Sequence, residues 1–108
     1  MNLNSIKMRQ ALVKMHDIDA GILFQNEDNS FRFEYFEGYR NAPISLTMPT
    51  TQKIYTFANF PAFFDGLLPE GGQLDGLLKS RKIDSKDFFS QLIAVGGDMV
   101  GAVTVFEK

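Results

Sequence analysis

The apolar positions of this chain change their spacing near Phe60: before it they run or alternate in short segments, and after it they return at helical intervals. Residues 11–15 and 21–25 are apolar-rich and are separated by His16-Asp17-Ile18-Asp19. The polar run Asn26-Glu27-Asp28-Asn29-Ser30 reads as a turn, because Asn and Asp tolerate turn geometry and bond their own backbone. Phe31-Arg32-Phe33-Glu34-Tyr35 then alternates aromatic and charged side chains, the signature of a half-buried strand. Residues 21–25 and 31–36 are thus expected to pair as an antiparallel hairpin. After a loop over 37–43, alternation resumes at Ile44-Ser45-Leu46-Thr47-Met48 until Pro49, and 53–57 reads as a further short strand.

Three helical patterns follow. In residues 61–68, Phe63, Phe64, Leu67 and Leu68 stand at i, i+1, i+4 and i+5 between Pro61 and Pro69. Proline is tolerated in a first helical turn but breaks a continuing helix, so this one is expected to stop near Leu68. Residues 73–79 place Leu74, Leu77 and Leu78 on one face, and 86–95 repeat the first pattern with Phe88, Phe89, Leu92 and Ile93. Asp84 or Ser85 is the expected N-cap of the third helix, and Gly96 its stop. Residues 101–106 read as a last strand. Strands, then helices, then a strand predict an α+β fold: a small, mostly antiparallel sheet of about five strands with three short helices in the C-terminal half.

At 108 residues the chain is expected to be one domain, 1–108, with a single core. Eleven basic against thirteen acidic residues give a formal charge of −2, which offers no global attraction to nucleic acid or an anionic bilayer. There is no cysteine, so disulfides and thiolate metal sites are excluded. Neither a signal-peptide run nor a membrane-length apolar segment is found, and a cytoplasmic protein with no membrane association is expected.

The chemistry-bearing residues are sparse. His16 is the only histidine and reads as a structural turn residue, so no His-pair metal site exists and neither metal nor cofactor is expected. Asp65, Glu70 and Asp75 lie close in sequence, but such acids more often face water than do acid–base work. Gly96-Gly97-Asp98-Met99-Val100-Gly101 superficially matches a phosphate cradle. It leads from a helix into a strand, however, the reverse of a phosphate loop, and reads as a tight connection needing positive φ. Lys79-Ser80-Arg81-Lys82 before the third helix could belong to a helix-turn-helix, yet Asp84 and Asp87 interrupt it and only Lys86 follows, so a solvated charge cluster is favoured. What stands out is apolar: eleven phenylalanines and two Phe-Phe pairs. Neighbours on a helix point about 100° apart, so at least one of Phe63 and Phe64 is expected near the surface.

Three motifs carry a resemblance. Pro43-Ile44-Ser45-Leu46-Thr47-Met48-Pro49, then Phe63-Phe64-Asp65-Gly66-Leu67-Leu68-Pro69-Glu70-Gly71, then Ala94-Val95-Gly96-Gly97-Asp98-Met99-Val100-Gly101-Ala102-Val103 resemble, in order, the N-terminal subdomain of the HipA-like serine/threonine kinase toxins. No glycine-rich nucleotide loop, catalytic Asp-Asn loop or metal-binding Asp motif accompanies them, so the expectation is no enzyme activity. A free-standing subdomain of this kind is similar to the HipS proteins of three-gene HipBST toxin–antitoxin modules. That resemblance implies an antitoxin that binds and inhibits a HipT-like kinase toxin lacking this subdomain. DNA binding would come only indirectly, through a HipB-like helix-turn-helix protein in a larger complex. The residues it points to for partner binding are Phe63, Phe64, Asp65 and Gly66, with Asp65 either pairing with the kinase or capping its own helix. The alternatives are a non-catalytic structural subdomain excised from a full-length kinase, and a DNA-binding accessory module using Lys79, Arg81, Lys82 and Lys86.

Overall fold

The computed structural model describes residues 9–98 and 102–108. The N-terminal stretch up to residue 8, Met99-Val100-Gly101 of the third motif, and Gly101 as the expected start of the last strand lie outside the described residues. Five strands make one sheet: β1 Arg9–Met15, β2 Ile18–Gln25, β3 Phe31–Tyr35, β4 Ile54–Phe57 and β5 Val103–Glu107. Their order is β4-β3-β2-β1-β5, and every neighbouring pair is antiparallel. Three helices, α1 Ala62–Asp65, α2 Gly71–Arg81 and α3 Phe88–Val95, lie between β4 and β5, so the expected α+β architecture with C-terminal helices holds.

The turns follow their residues. The β1–β2 hairpin closes through His16 and Asp17 at φ 50° and 64°, the double left-handed geometry of a two-residue loop, so His16 is the turn residue its isolation implied. In the β2–β3 turn, Asn29 takes φ 66° and the Asp28 carboxylate accepts from the backbone N–H of Ser30 at 3.0 Å.

Four expectations need correction. Residues 44–48 are not a strand; β1, an inner strand between β2 and β5, takes that place in the count. The Met48 N–H turns back to the Ser45 carbonyl at 3.0 Å, which closes a tight turn where a strand would have run on. The first helix ends at Asp65 rather than Leu68: Gly66 N–H still reaches the Ala62 carbonyl, but Leu67 and Leu68 bond to Phe64 and Asp65, three residues back, as the chain tightens toward Pro69. The third helix begins at Phe88 and is capped by Asp87, whose carboxylate accepts from Ser90 N–H at 3.1 Å. Asp84 instead accepts from Lys86 N–H at 2.7 Å, in the turn before the helix. Finally, Gly96 has φ −57° and opens a 3-10 turn over Gly96–Asp98; among the described residues the left-handed glycines are Gly38 and Gly71.

Paired residues in neighbouring strands share a face, and one face carries the core. Ala11 and Val13 of β1, Leu23 of β2, Phe33 and Tyr35 of β3 and Val105 of β5 are buried there with Phe64, Phe89 and Leu92 from the helices and Ile44 and Met48 from the 44–48 loop. Burial of each large apolar side chain contributes roughly 1.5–3 kcal/mol, which makes this one cluster the main source of stability. The opposite face is crossed by Phe106, Leu12, Ile22, Glu34 and Ile54 in register. Cations shield its aromatics: the Arg32 guanidinium lies 4.2 Å from the Phe24 ring centroid and the Lys14 ammonium 5.6 Å from that of Phe106. Helix α2 is the outlier, since it buries no residue fully and Leu74, Leu77 and Leu78 are only half-buried.

Arg9 ties the start of β1 to the start of α3. Its guanidinium donates to Asp87 at 3.1 Å and to the Ser90 hydroxyl at 2.9 Å, and it lies 4.6 Å from the Phe89 ring centroid. Burial pushes the Asp87 carboxyl up, but the hydrogen bonds from Ser90 and the Arg9 charge outweigh it and leave the acid below its ordinary range. A depressed carboxylate stabilises the fold above its unfolded-state value and ceases to do so as pH falls through the folded value. The pair is partly exposed, so its worth is at most about 1 kcal/mol. Thermal melts should therefore show Asp87→Asn less stable than wild type at pH 6, with the gap closing below about pH 4. A gap that is unchanged at pH 3 contradicts the assignment.

Candidate functional site

The stretch singled out for partner binding forms a single helical turn on the core side of the sheet. Pro61 is buried and enters with extended geometry, and the turn closes through Asp65 N–H to the Pro61 carbonyl at 3.0 Å. The one-residue offset between the two phenylalanines separates their roles. Phe64 is 0% exposed and packs on Phe33, ring centroids 6.2 Å apart. Phe63 meets the Phe64 ring edge-on at 5.1 Å and is only half-buried, while Asp65 and Gly66 are exposed. The surface therefore holds Phe63, Asp65 and Gly66 together, and Phe64 is their anchor rather than part of the exposed face.

Asp65 lies within the single turn of α1, whose N-cap, Pro61, carries no side-chain capping hydrogen bond. Among the described residues it has no ion-pair partner. The turn thus presents an aromatic ring beside an uncompensated carboxylate, which suits a partner surface with an apolar recess and a cation next to it. Among the described residues no group of three or more His, Cys, Asp or Glu side chains could hold a metal ion. No helix among them is long and apolar enough to cross a membrane.

A separate open cleft of about 680 Å³ lies at the α3 N-terminus, lined by Arg9, Phe31, Phe60, Asp87 and Phe88 among others. None of residues 63–66 lines it. Its floor is an aromatic row in which Phe60 sits between Phe31 and Phe88, with centroids 5.3 and 5.5 Å away. The basic residues Lys79, Arg81, Lys82 and Lys86 are all exposed at the end of α2 and in the turn after it. Lys82 takes the left-handed C-cap conformation, φ 55°, which ends the helix where the cations gather.

Sequence reasoning missed two positions. Gln91 looks like a solvent-facing polar residue of α3, yet it is buried and donates from Nε2 to the carbonyls of Asp84 and Ser85 at 3.2 Å each. Leu46 alternates with Ile44 and Met48 and so reads as their strand-face neighbour. In the structure those two are buried and Leu46 projects into solvent.

Residues 11–106 match the family model described as the HipA N-terminal domain. A solved structure described as the N-terminal domain of HipA toxin is similar at a TM-score of 0.74 with 27% sequence identity, covering 93% of this chain and 92% of that one. An uncharacterized protein of Haemophilus influenzae is 30% identical over 86 residues, 80% of this chain and 81% of the relative. Since the match takes in every strand, all three helices and the 63–66 turn, the chain is HipS-like in carrying this unit and belongs to the HipA N-terminal domain family.

Proposed function

We propose that this chain is an antitoxin that binds a HipA-like serine/threonine kinase toxin of the HipT type and suppresses its activity without catalysing a reaction itself. The observation that carries the reading is the exposed Phe63–Asp65–Gly66 edge, fixed on a buried Phe64, in a chain of the HipA N-terminal domain family. A rigid aromatic held half out of the core is the kind of group that carries binding energy, about 2 kcal/mol or more when it fills a pocket. Docking supplies in trans the subdomain that a HipA-type chain holds in cis, and the 63–66 turn then approaches the kinase nucleotide cleft. The complex forms in the cytoplasm. A HipB-like helix-turn-helix protein contributes the DNA contacts of the larger assembly, and the exposed cations of α2 remain a solvated cluster.

The test is a titration of a HipT-like kinase with wild-type protein, Phe63→Ala and Asp65→Ala, reading autophosphorylation or substrate phosphorylation. Wild type should inhibit, and Phe63→Ala should need on the order of 30-fold more protein for the same inhibition. Full inhibition by both variants, each with an unchanged thermal midpoint, overturns the role of the turn. A steep salt-dependent affinity of the isolated chain for DNA would favour the accessory-module reading instead.

A further inference from the structure

We propose that Leu46 is a second docking anchor for the same kinase partner, a preformed apolar knob that enters a leucine-sized recess on it. This rests on the reading that the chain docks on such a kinase.

A lone exposed leucine on a protein surface is ordinary. Leu46 differs in degree and in support. It is 96% exposed, whereas the other exposed large hydrophobics among the described residues, Ile18, Phe36, Ile54, Phe88 and Phe106, lie between 37% and 45%. It contributes almost nothing to its own core, yet its loop is held as firmly as a core element. Ile44 and Met48 on either side are 4% and 2% exposed. The Tyr35 hydroxyl joins them, accepting from Ile44 N–H at 3.0 Å and donating to the Met48 carbonyl at 2.5 Å. Thr47 N–H donates to the Ser45 hydroxyl at 3.2 Å, and the two hydroxyls share a hydrogen bond of 2.8 Å. Just past the loop, the Tyr55 hydroxyl donates to the Pro49 carbonyl at 2.6 Å. A knob already ordered in the free protein forfeits little conformational freedom on binding, which is the condition under which one side chain adds appreciable affinity.

Position supplies the partner. Ile44 and Met48 sit in the same core cluster as Phe64. A continuous row of rings runs from Tyr35 to Phe33 at 4.8 Å, to Phe64 at 6.2 Å and to Phe63 at 5.1 Å. The Leu46 turn and the Phe63 edge therefore rise from the same side of the sheet, and one partner face can meet both. A second copy of this chain is the poorer occupant. One leucine flanked by Ser45 and Thr47 falls far short of the ~1,200 Å² that a stable self-association buries, whereas it adds usefully to an interface already seeded at Phe63.

Leu46→Ala and Leu46→Asp test this, with Tyr35→Phe as a positioning variant. Calorimetric titration against the kinase is read alongside each variant's thermal midpoint. Because Leu46 packs on nothing, both of its variants should melt as wild type does. Leu46→Ala should weaken binding on the order of 10-fold, and Leu46→Asp by more. Tyr35→Phe keeps Leu46 but strips the loop of its tie, so it should lower both the affinity and the midpoint. Equal binding by wild type and both Leu46 variants overturns the knob while leaving the docking function intact. Failure of wild type to bind overturns both. A wild-type dimer in sedimentation that Leu46→Asp dissolves would overturn the assignment in favour of a second copy.

Discussion

Phe64→Ala should be the most damaging single truncation in the candidate site, at about 3–5 kcal/mol of folding free energy. The side chain is wholly enclosed, so its loss removes the transfer term and also leaves a cavity beside Phe33. A domain of this size is stable by only about 5–15 kcal/mol, and the variant should be partly unfolded at 37 °C or melt far below wild type. Phe63→Ala should cost about 1 kcal/mol, because that ring is already half in water. Denaturant titration of the two variants reads the difference directly. If Phe63→Ala were the more destabilising, the assignment of anchor and exposed edge would be reversed. The contrast also matters for the proposed function: lost inhibition by Phe64→Ala would report unfolding, and within the 63–66 turn Phe63 and Asp65 are the residues to report docking.

The second large effect is expected at Gly96. Its backbone is ordinary helix, so conformational freedom is not what the position requires. Space is the requirement: a Cβ built there would fall on the Val105 carbonyl, with the carbonyl carbon only 2.7 Å away and the Val105 Cβ 3.0 Å away. The obstacle is the backbone of β5, which cannot swing aside as a side-chain tip would. Gly96→Ala should therefore reach or exceed the ~1–3 kcal/mol typical of overpacking. Gly76, inside α2, is the internal control, since nothing lies within 4 Å of its missing Cβ. Gly76→Ala should stabilise by roughly 0.5–1 kcal/mol through helix propensity alone. Urea denaturation of both variants checks the pair, and equal effects at the two glycines would remove the steric argument.

These positions show what a sequence can and cannot disclose. Alternation found β3 because both its faces are specified, aromatic inward and charged outward. The same rule failed at 44–48, where alternation of Ile44, Leu46 and Met48 mimics a strand that the Tyr35 hydroxyl and the Ser45–Met48 turn replace with a loop. That hydroxyl sits nine residues earlier in the chain, and no local pattern announces it. The bracketing prolines correctly marked a short helix, but spacing alone could not decide between Phe63 and Phe64. That choice depends on where Phe33 lies across the core. Asp87 was displaced from the cap reading because Asp84 and Ser85 offered equivalent local signals. Arg9, far away in sequence, selects among them by pairing with Asp87. Gly96 was legible as a helix stop, though its reason, contact with β5, lives in tertiary structure.

The strand order carries a kinetic consequence. Strands β1 to β3 are joined by short turns, and β4 follows them after one loop, so four-fifths of the sheet assembles from neighbours along the chain. The fifth strand must return across nearly the whole sequence to lie beside β1, with Val105 opposite Val13 and Glu107 opposite Ala11. Closing so long a loop is entropically slow, and it is rewarded only once α3 and Gly96 are in place to receive the strand. Until that step β1 is an open edge, its unpaired amides and carbonyls available to any passing strand. The newly made chain is thus most vulnerable to misassociation just before its final strand docks, and Gly96 helps to end that interval.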